Sequence, residues 1–598
     1  MTADEKAGTV ADLVIDRLAQ WGAERIYGYA GDGNNPLLGA LRRADGPVFV
    51  GARHEEAAAF MACGEAKYGG VGVVTSTQGP GAVHLLNGLY DARLDSVPVV
   101  AIVAQQHRTA LGSGYQQEID LQTLFHDVAA SSVQLVATPE QVPMVVDRAF
   151  RTARAGGRPA VVILPHDVQT APAPDLGQSH GEVVTSPRWT TGRILPREED
   201  VAAAAEVIAA GERVAILAGR GARDAGAELV RLAEHLGAPV ATSLFGKPFV
   251  DEEHPLAVGT MGHLGTDASA HALQGCDTLV IVGSHDPWTE FYPAPGQARA
   301  VQIDVDPAAL GDRYPVEVGV VGEAAAAIDE LMERLPARGS SPWRDEAEDA
   351  ARLWRETARR RAEVPADPLN PEQVVRAFAE RIPASAAVAL DVGSVVYHYA
   401  RQTNLPHDVP VHLSSTLASM GCGVPYGIAA KELRPDRPVA VLSGDGAMQM
   451  LGNAELVTVA ERWRTWADPR FVVLVLGNRD LAEVSWEQRE MEGEPRFSAS
   501  QDVPEFDAAR YAELLGLRGV RVSSPDELSQ AFSDAFAADR PVVIDAEGDP
   551  DAPLLPPLPH AERVVDGMRQ ALEAEGDDGA HALRLLDAYL GVRHHRSS

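Results

Sequence analysis

Val439–Ser443 (VAVLS) runs straight into Gly444-Asp445-Gly446, and Phe471–Leu476 (FVVLVL) runs into Gly477-Asn478. Between them, Ala447 to about Arg462 carries a helix-like pattern. Two apolar strands joined by a helix form a parallel pair. That pairing puts Asp445 and Asn478 at neighbouring strand C-termini, where α/β sheets bind ligands.

Outward from this unit the same rhythm continues. Short β-rich apolar runs alternate with amphipathic stretches: Val71–Ser76, Val97–Val103 and Ala160–Leu164 first, then Arg213–Ala218, Thr278–Val282 and Ala300–Ile303, then Ala387–Leu390 and Pro541–Asp545. Such alternation predicts an α/β protein of doubly wound parallel sheets with helices on both faces. Two stretches interrupt it. Ala171–Arg197 is rich in Pro, Gly, Ser and Thr, and Pro336–Asn370 contains the charged helix-like WRDEAEDAARLWRETARRRAE. Read as connections, they divide the chain into three domains, 1–172, 198–335 and 368–550, and a helical tail, 551–598.

The 598 residues exceed what one hydrophobic core holds. Lys plus Arg number 52 against 85 Asp plus Glu, a net charge of −33 that repels nucleic acid and anionic lipid. Cys63, Cys276 and Cys422 are scattered, which suits a reducing compartment. The start, Met-Thr-Ala-Asp-Glu-Lys, shows no apolar leader, so a cytoplasmic location is expected.

The residues at the two strand ends fit a phosphate and its cation. Glycines let backbone N–H groups approach a phosphate, and the helix N-terminus adds partial positive charge. Mg²⁺ takes a few hard oxygen ligands. Asp445 offers a carboxylate, Asn478 an amide oxygen, and Asp480 by position a backbone carbonyl. A strand–turn–helix connection with a capping Asp is the plainer alternative for the GDG alone.

The stretch LSGDGAMQM…VLVLGNRDL is similar to the signature of thiamine-diphosphate enzymes, GDG followed after an interval by Asn-Asn. Here Gly477 replaces the first Asn, and Trp463–Arg470 lengthens the interval. The resemblance implies cofactor contacts at Gly444, Asp445, Gly446, Ala447, Asn478, Asp480 and Leu481, with Asp445, Asn478 and Asp480 as metal ligands. Phe49–Ala57 resembles the family's segment bearing the catalytic glutamate, which makes Glu55 the acid that hydrogen-bonds the aminopyrimidine. In isolation, RHEE reads more readily as two surface acids opening a helix.

Further matches are Gly31 in Tyr29–Gly33, Pro80 in Gly79-Pro80-Gly81, Asn87, the loop Asp391 with Val392, Gly393 and Ser394, and Ala418-Ser419-Met420. In the family a bulky residue at the Met420 position bends the cofactor, and the Ala418 carbonyl accepts from its exocyclic amine. A methionine is otherwise ordinary core filling. These elements meet across a subunit interface in the family, so a homodimer or homotetramer is implied.

The middle segment resembles the FAD-binding domain of pyruvate oxidases and acetolactate synthases, through Gly219, Gly221, Gly262, His263, Leu264, Gly283, Ser284 and Asp304. Asp304, at a strand end, suits ribose hydroxyls. The whole chain to about Pro559 looks closest to the quinone-linked pyruvate dehydrogenase (pyruvate oxidase) branch. That resemblance implies decarboxylation of pyruvate or a related 2-oxo acid with electrons passing through FAD to quinone or oxygen. The alternatives are an acetolactate-synthase-type carboligase and a non-catalytic cofactor-binding protein.

Gln117 belongs to the implied catalytic set, and two departures stand beside it. Gln116 replaces a phenylalanine of pyruvate-using members, and Glu483 replaces one between thiazolium and flavin. Leu583, Leu586, Tyr589 and Leu590 recur at helical spacing in the tail. This predicts a helix that packs on its own assembly or, as in the quinone-linked branch, touches a membrane.

Overall fold

Apolar runs without helical periodicity become strands, and the computed structural model shows eighteen of them among the described residues. Described are residues 8–594 apart from 131, 176, 178, 179, 407 and 408. The first seven residues, part of the first connection and the last four residues of the tail thus lie outside the described residues.

The first sheet contains β1 (Arg25–Gly28), β2 (Val48–Gly51), β3 (Gly72–Ser76), β4 (Val99–Gln105), β5 (Val133–Leu135) and β6 (Ala160–Pro165), in the order β2-β1-β3-β4-β6-β5. The second contains β7 (Val214–Ala218), β8 (Val240–Thr242), β9 (Ala257–Thr260), β10 (Thr278–Val282), β11 (Arg299–Asp304) and β12 (Val318–Val321), ordered β12-β11-β10-β7-β8-β9. The third contains β13 (Ala387–Leu390), β14 (Val411–His412), β15 (Val439–Gly444), β16 (Phe471–Gly477), β17 (Arg518–Val522) and β18 (Val542–Glu547), ordered β14-β13-β15-β16-β18-β17. Every pairing is parallel. The protein is therefore α/β, built from three doubly wound six-stranded sheets.

The first and third sheets share one strand order, and the second follows the dinucleotide-fold order instead. The winding from the first strand of each sheet reverses at β1/β3, β7/β10 and β13/β15. Crevices beyond the strand C-termini open at such points, and this is where ligands bind in open sheets.

One apolar cluster spans the first and third layers. Helix Glu55–Lys67 lies against helix Gly423–Leu433, with Phe60 edge-on to Tyr426 at 6.2 Å between ring centroids. Small residues permit the approach: a Cβ at Gly64 would stand 3.0 Å from the Tyr426 ring and 3.1 Å from the Ala429 methyl. Lys67 crosses the seam, donating to the Leu413 carbonyl at 2.6 Å and the Tyr426 hydroxyl at 2.7 Å.

The charged stretch between the second and third sheets is a 21-residue helix, Pro342–Ala362, capped by the Ser341 hydroxyl. Trp343, Ala351, Trp354 and Ala358 bury one face of it in the central core. It is thus a packed part of the central layer rather than a free connector. The tail forms helices His560–Ala574 and Ala580–His594. Leu586 and Tyr589 are buried against the chain itself, and the Tyr589 hydroxyl donates to Asn370 at 3.2 Å. Among the described residues no helix is long and apolar enough to cross a membrane.

Candidate active site

β15 and β16 run side by side, with Gly444 opposite Leu476. Asp445 leaves the end of β15 and opens a helical turn. One of its carboxylate oxygens accepts from the Gly446 N–H at 2.9 Å, the other from Asn478 N–H at 3.1 Å and Arg479 N–H at 2.7 Å. This ties the two strand ends together. Burial raises the Asp445 pKa and these backbone donors oppose it. The Asn478 amide oxygen accepts from the Asp480 N–H at 3.2 Å. The Asp480 carboxylate accepts at Oδ1 from Ser485 (2.9 Å) and Arg496 (2.7 Å). Beyond Gly444 a Cβ would meet nothing within 4 Å, and the same holds at Gly393, whose φ is +129°.

Asp391 organises the loops around this space. Its buried carboxylate accepts from the N–H groups of Val392 (2.9 Å), Gly421 (2.7 Å) and Gly423 (3.1 Å) and from the Ser443 hydroxyl (3.1 Å). Three separate segments, 391–394, 418–423 and the end of β15, are fixed by this one side chain. Ala418 takes a left-handed φ of +54°, which brings Met420 round to face the GDG turn. A Cβ on Gly446 would lie 3.0 Å from Leu481 Cδ2 and 3.3 Å from Met420 Cε, so those two side chains converge over the glycine.

On the first layer, β2 ends at Gly51 and the chain turns into helix Glu55–Lys67, with His54 as the N-cap. Glu55 is 7% exposed, and its carboxylate lies 2.9 Å from His84 Nδ1. His54 stacks on His84 at 4.3 Å. A Cβ at Gly81 would stand 3.1 Å from Glu55 Oε1, so the glycine leaves the carboxylate face open. Gly79 at φ +60° turns the chain into the short helix that starts at Pro80. On the next helix, Leu86–Leu94, Asn87 donates to Glu56 Oε1 at 2.6 Å and to Ser419 Oγ at 2.7 Å, joining helix Glu55–Lys67 to the Met420 turn. No hydrogen bond or ion pair links Glu55 to Asp445 among the described residues.

Sequence reading passed over Glu455, which is fully buried and accepts from the Arg53 N–H at 2.7 Å. Burial raises its pKa. Lying 402 positions from Arg53, it gives no local signal.

A cleft of about 270 Å³ lies at the strand ends of the first sheet, lined by Asp32, Gln78, Gln106, His107, Tyr115, Gln116, Gln117 and His166. Gln78 donates to Gln117 Oε1 at 3.0 Å and to Asp32 at 3.2 Å. Gln106 holds the Gln116 carbonyl at 2.7 Å. Gln117 has φ +62°, and Gly31 nearby has no room for a Cβ, which would meet Thr77 at 2.5 Å. Of these lining groups, sequence reading singled out only Gln116 and Gln117. Glu483, on helix Ala482–Glu487, is half-buried. Burial, helped by the neighbouring Glu487, pushes its pKa up to about 7.

In the central layer, the glycine loops after β7 and β10 back onto each other. Gly221 N–H donates to the Gly283 carbonyl at 3.0 Å, and a Cβ at Gly219 would stand 2.5 Å from Ser284 Cα. The Asp304 carboxylate receives His285 Nε2 at 3.1 Å and the Asp306 N–H at 3.0 Å. Arg220, beside these loops, makes no ion pair among the described residues, and burial lowers its pKa. The Gly262–Leu264 loop is gripped by Arg401, whose guanidinium donates to the His263 carbonyl at 2.7 Å.

Three family models match the chain in order. They describe the N-terminal TPP binding domain of thiamine pyrophosphate enzymes (residues 8–124), the central domain (201–331) and the C-terminal TPP binding domain (391–546). A Bacillus subtilis protein with a provisional "thiamine pyrophosphate-containing" name is 33% identical over 539 residues, 90% of this chain and 91% of that one. Pyruvate oxidase of Lactiplantibacillus plantarum is 31% identical over 551 residues, 90% of this chain and 89% of the oxidase. Acetolactate synthase of Arthrospira platensis is 30% identical over 563 residues, 90% and 94% of the two chains. With all three models and these full-length likenesses in register with the three sheets, the chain belongs to the thiamine pyrophosphate (thiamine diphosphate) enzymes.

Proposed function

We propose that this protein decarboxylates pyruvate or a related 2-oxo acid and passes the electrons through FAD to a quinone or to oxygen. The observation that carries the reading is the pair of strand ends where Asp445 is bonded to Asn478 N–H next to the open space at Gly444. Asp445, the Asn478 amide oxygen and the Asp480 carbonyl form an oxygen donor set of the kind Mg²⁺ takes beside a diphosphate. Thiamine diphosphate, when bound, supplies a thiazolium carbon that adds to the 2-oxo acid and stabilises the charge left as carbon dioxide departs.

The chain's own residues do the rest. Met420 and Leu481 wall the space above Gly446. Glu55, buried and within 2.9 Å of His84 Nδ1, would hold the aminopyrimidine ring of the cofactor by a carboxyl hydrogen bond. Gln117, pinned by Gln78, and Gln116 present polar groups to the substrate. For FAD, the β7/β10 crevice, Asp304 and the cationic Arg220 fit the nucleotide end, with Gly219, Gly221, Gly283 and Ser284 bringing the loops close. The reading includes a homodimer or homotetramer, since a second copy would bring Glu55 of one layer to the diphosphate end of another.

The cleft's polar lining favours a substrate with a polar or larger group than methyl, because an unpaired buried amide penalises a purely apolar ligand. The acetolactate-synthase reading, favoured by the Arthrospira platensis likeness, uses the same site to attack a second carbonyl. The test is a screen of 2-oxo acids on purified protein with thiamine diphosphate and Mg²⁺, following carbon dioxide release and anaerobic flavin bleaching. Bleaching by substrate is the expected result, whereas carbon–carbon coupling without bleaching selects the synthase reading. Glu55→Gln is expected to lower turnover by about a hundredfold or more while cofactor affinity stays near wild type. Near-normal turnover would remove Glu55 from the mechanism.

A further inference from the structure

Three segments distant in sequence meet where the tail crosses the molecule. The loop after β9 brings His263, the helical turn Gln488–Glu492 brings Glu490, and the first residue of helix His560–Ala574 brings His560. One ligand atom of each lies within 4.8 Å of the other two. His263 Nδ1 stands 3.4 Å and His560 Nε2 3.3 Å from Glu490 Oε1. Glu490 is 7% exposed, and its Oε1 accepts no hydrogen bond. Two imidazole nitrogens therefore crowd a buried carboxylate oxygen without aiming an N–H at it.

A tetrahedral cation with bonds of about 2.0–2.1 Å holds its ligands about 3.4 Å apart, which is the spacing of each imidazole nitrogen from Glu490 Oε1. The second ring nitrogen of His263 supports the same reading. Nε2 lies 3.0 Å from Glu290, and a carboxylate behind an imidazole fixes the N–H on that side and frees the opposite lone pair. The free lone pair is then on Nδ1, facing Glu490. The rings of Trp288 and Phe291 close the site, edge-on to His263 at 4.7 and 5.0 Å.

We propose that His263, Glu490 and His560 bind a first-row divalent cation, with Zn²⁺ the best match to two imidazoles and a carboxylate. Water completes the coordination. The ion clasps the tail to the central and third layers. The site is distinct from the all-oxygen set at Asp445 and Asn478, and it commits His263 to the metal rather than to a flavin.

The test uses the full-length protein, stripped with chelator, saturated with thiamine diphosphate and Mg²⁺, incubated with Zn²⁺ and desalted. Elemental analysis is expected to find about one Zn²⁺ per chain in the wild type, and about tenfold less in His560→Ala and Glu490→Gln. Zinc should raise the thermal midpoint of the wild type and leave that of either variant unchanged. A Co²⁺-loaded wild type should show tetrahedral ligand-field bands that His560→Ala lacks. Matching midpoints of the metal-free proteins show that the variants fold. Equal zinc retention in wild type and His560→Ala overturns the proposal. So does retention that only His84→Ala removes, since that places the ion at His54, Glu55 and His84.

Discussion

The GDG turn after β15 and the glycine loop after β7 have the same local grammar: strand, glycine, helix. Their surroundings are opposite. Beyond Gly444 there is nothing within 4 Å, while Gly221 has the Gly283 backbone 2.7 Å from where a Cβ would be. At the third sheet glycine makes room for a ligand, and at the second it makes room for another backbone. The residue type is shared, so the distinction belongs to what the fold brings opposite.

That contrast can be broken experimentally. Gly221→Ala should cost about 1–3 kcal/mol of stability, because backbone cannot swing aside as a side chain does, and denaturant unfolding measures it. Gly444→Ala should leave the unfolding midpoint unchanged and weaken thiamine diphosphate binding about tenfold, read by calorimetry, because the methyl enters the space a phosphate needs. If Gly444→Ala instead destabilises the fold and spares the cofactor, the two turns are alike and the contrast fails.

A smaller effect sharpens the same point for acids. Asp445 meets three backbone donors, whereas no hydrogen bond reaches the Glu483 carboxylate among the described residues. With its pKa raised from 4.5 to about 7, Glu483 binds its proton more tightly folded than unfolded. Its contribution to stability is therefore present in full below about pH 4.5 and lost as pH rises through about 7. Glu483→Gln should match the wild-type midpoint near pH 5 and exceed it modestly near pH 8. Thermal melts at the two values check this, and a constant difference would mean that Glu483 is not protonated when folded.

The strands and the GDG-to-Asn478 unit were legible because buried parallel strands write themselves as unbroken apolar runs. Glu55 and Met420 were legible only through resemblance, since neither carries a local pattern. Asp391, recognised as part of a loop, gave no hint that it ties 391–394 to Gly421 and Gly423 some thirty residues away. Glu455 and the polar cleft stayed hidden for the same reason. Their partners are set by how layers stack, and stacking leaves no trace in spacing. Helix Pro342–Ala362, read as an inter-domain connection, carries two tryptophans and alanines whose burial in the central core its charges gave no sign of.

The seam between helices Glu55–Lys67 and Gly423–Leu433 also bears on how the protein is made. From Ala57 to Ala66 the first helix is buried on every side, and part of its cover is more than 350 residues further along the chain. On a ribosome adding about 5–20 residues each second, the first layer waits roughly 20 to 70 seconds for its other half. During that wait an all-round apolar helix, and a Lys67 with neither the Leu413 carbonyl nor the Tyr426 hydroxyl to hold it, are left uncovered. The N-terminal sheet thus closes its core only when helix Gly423–Leu433 has been made, and its autonomy as a fold ends where helix Glu55–Lys67 begins.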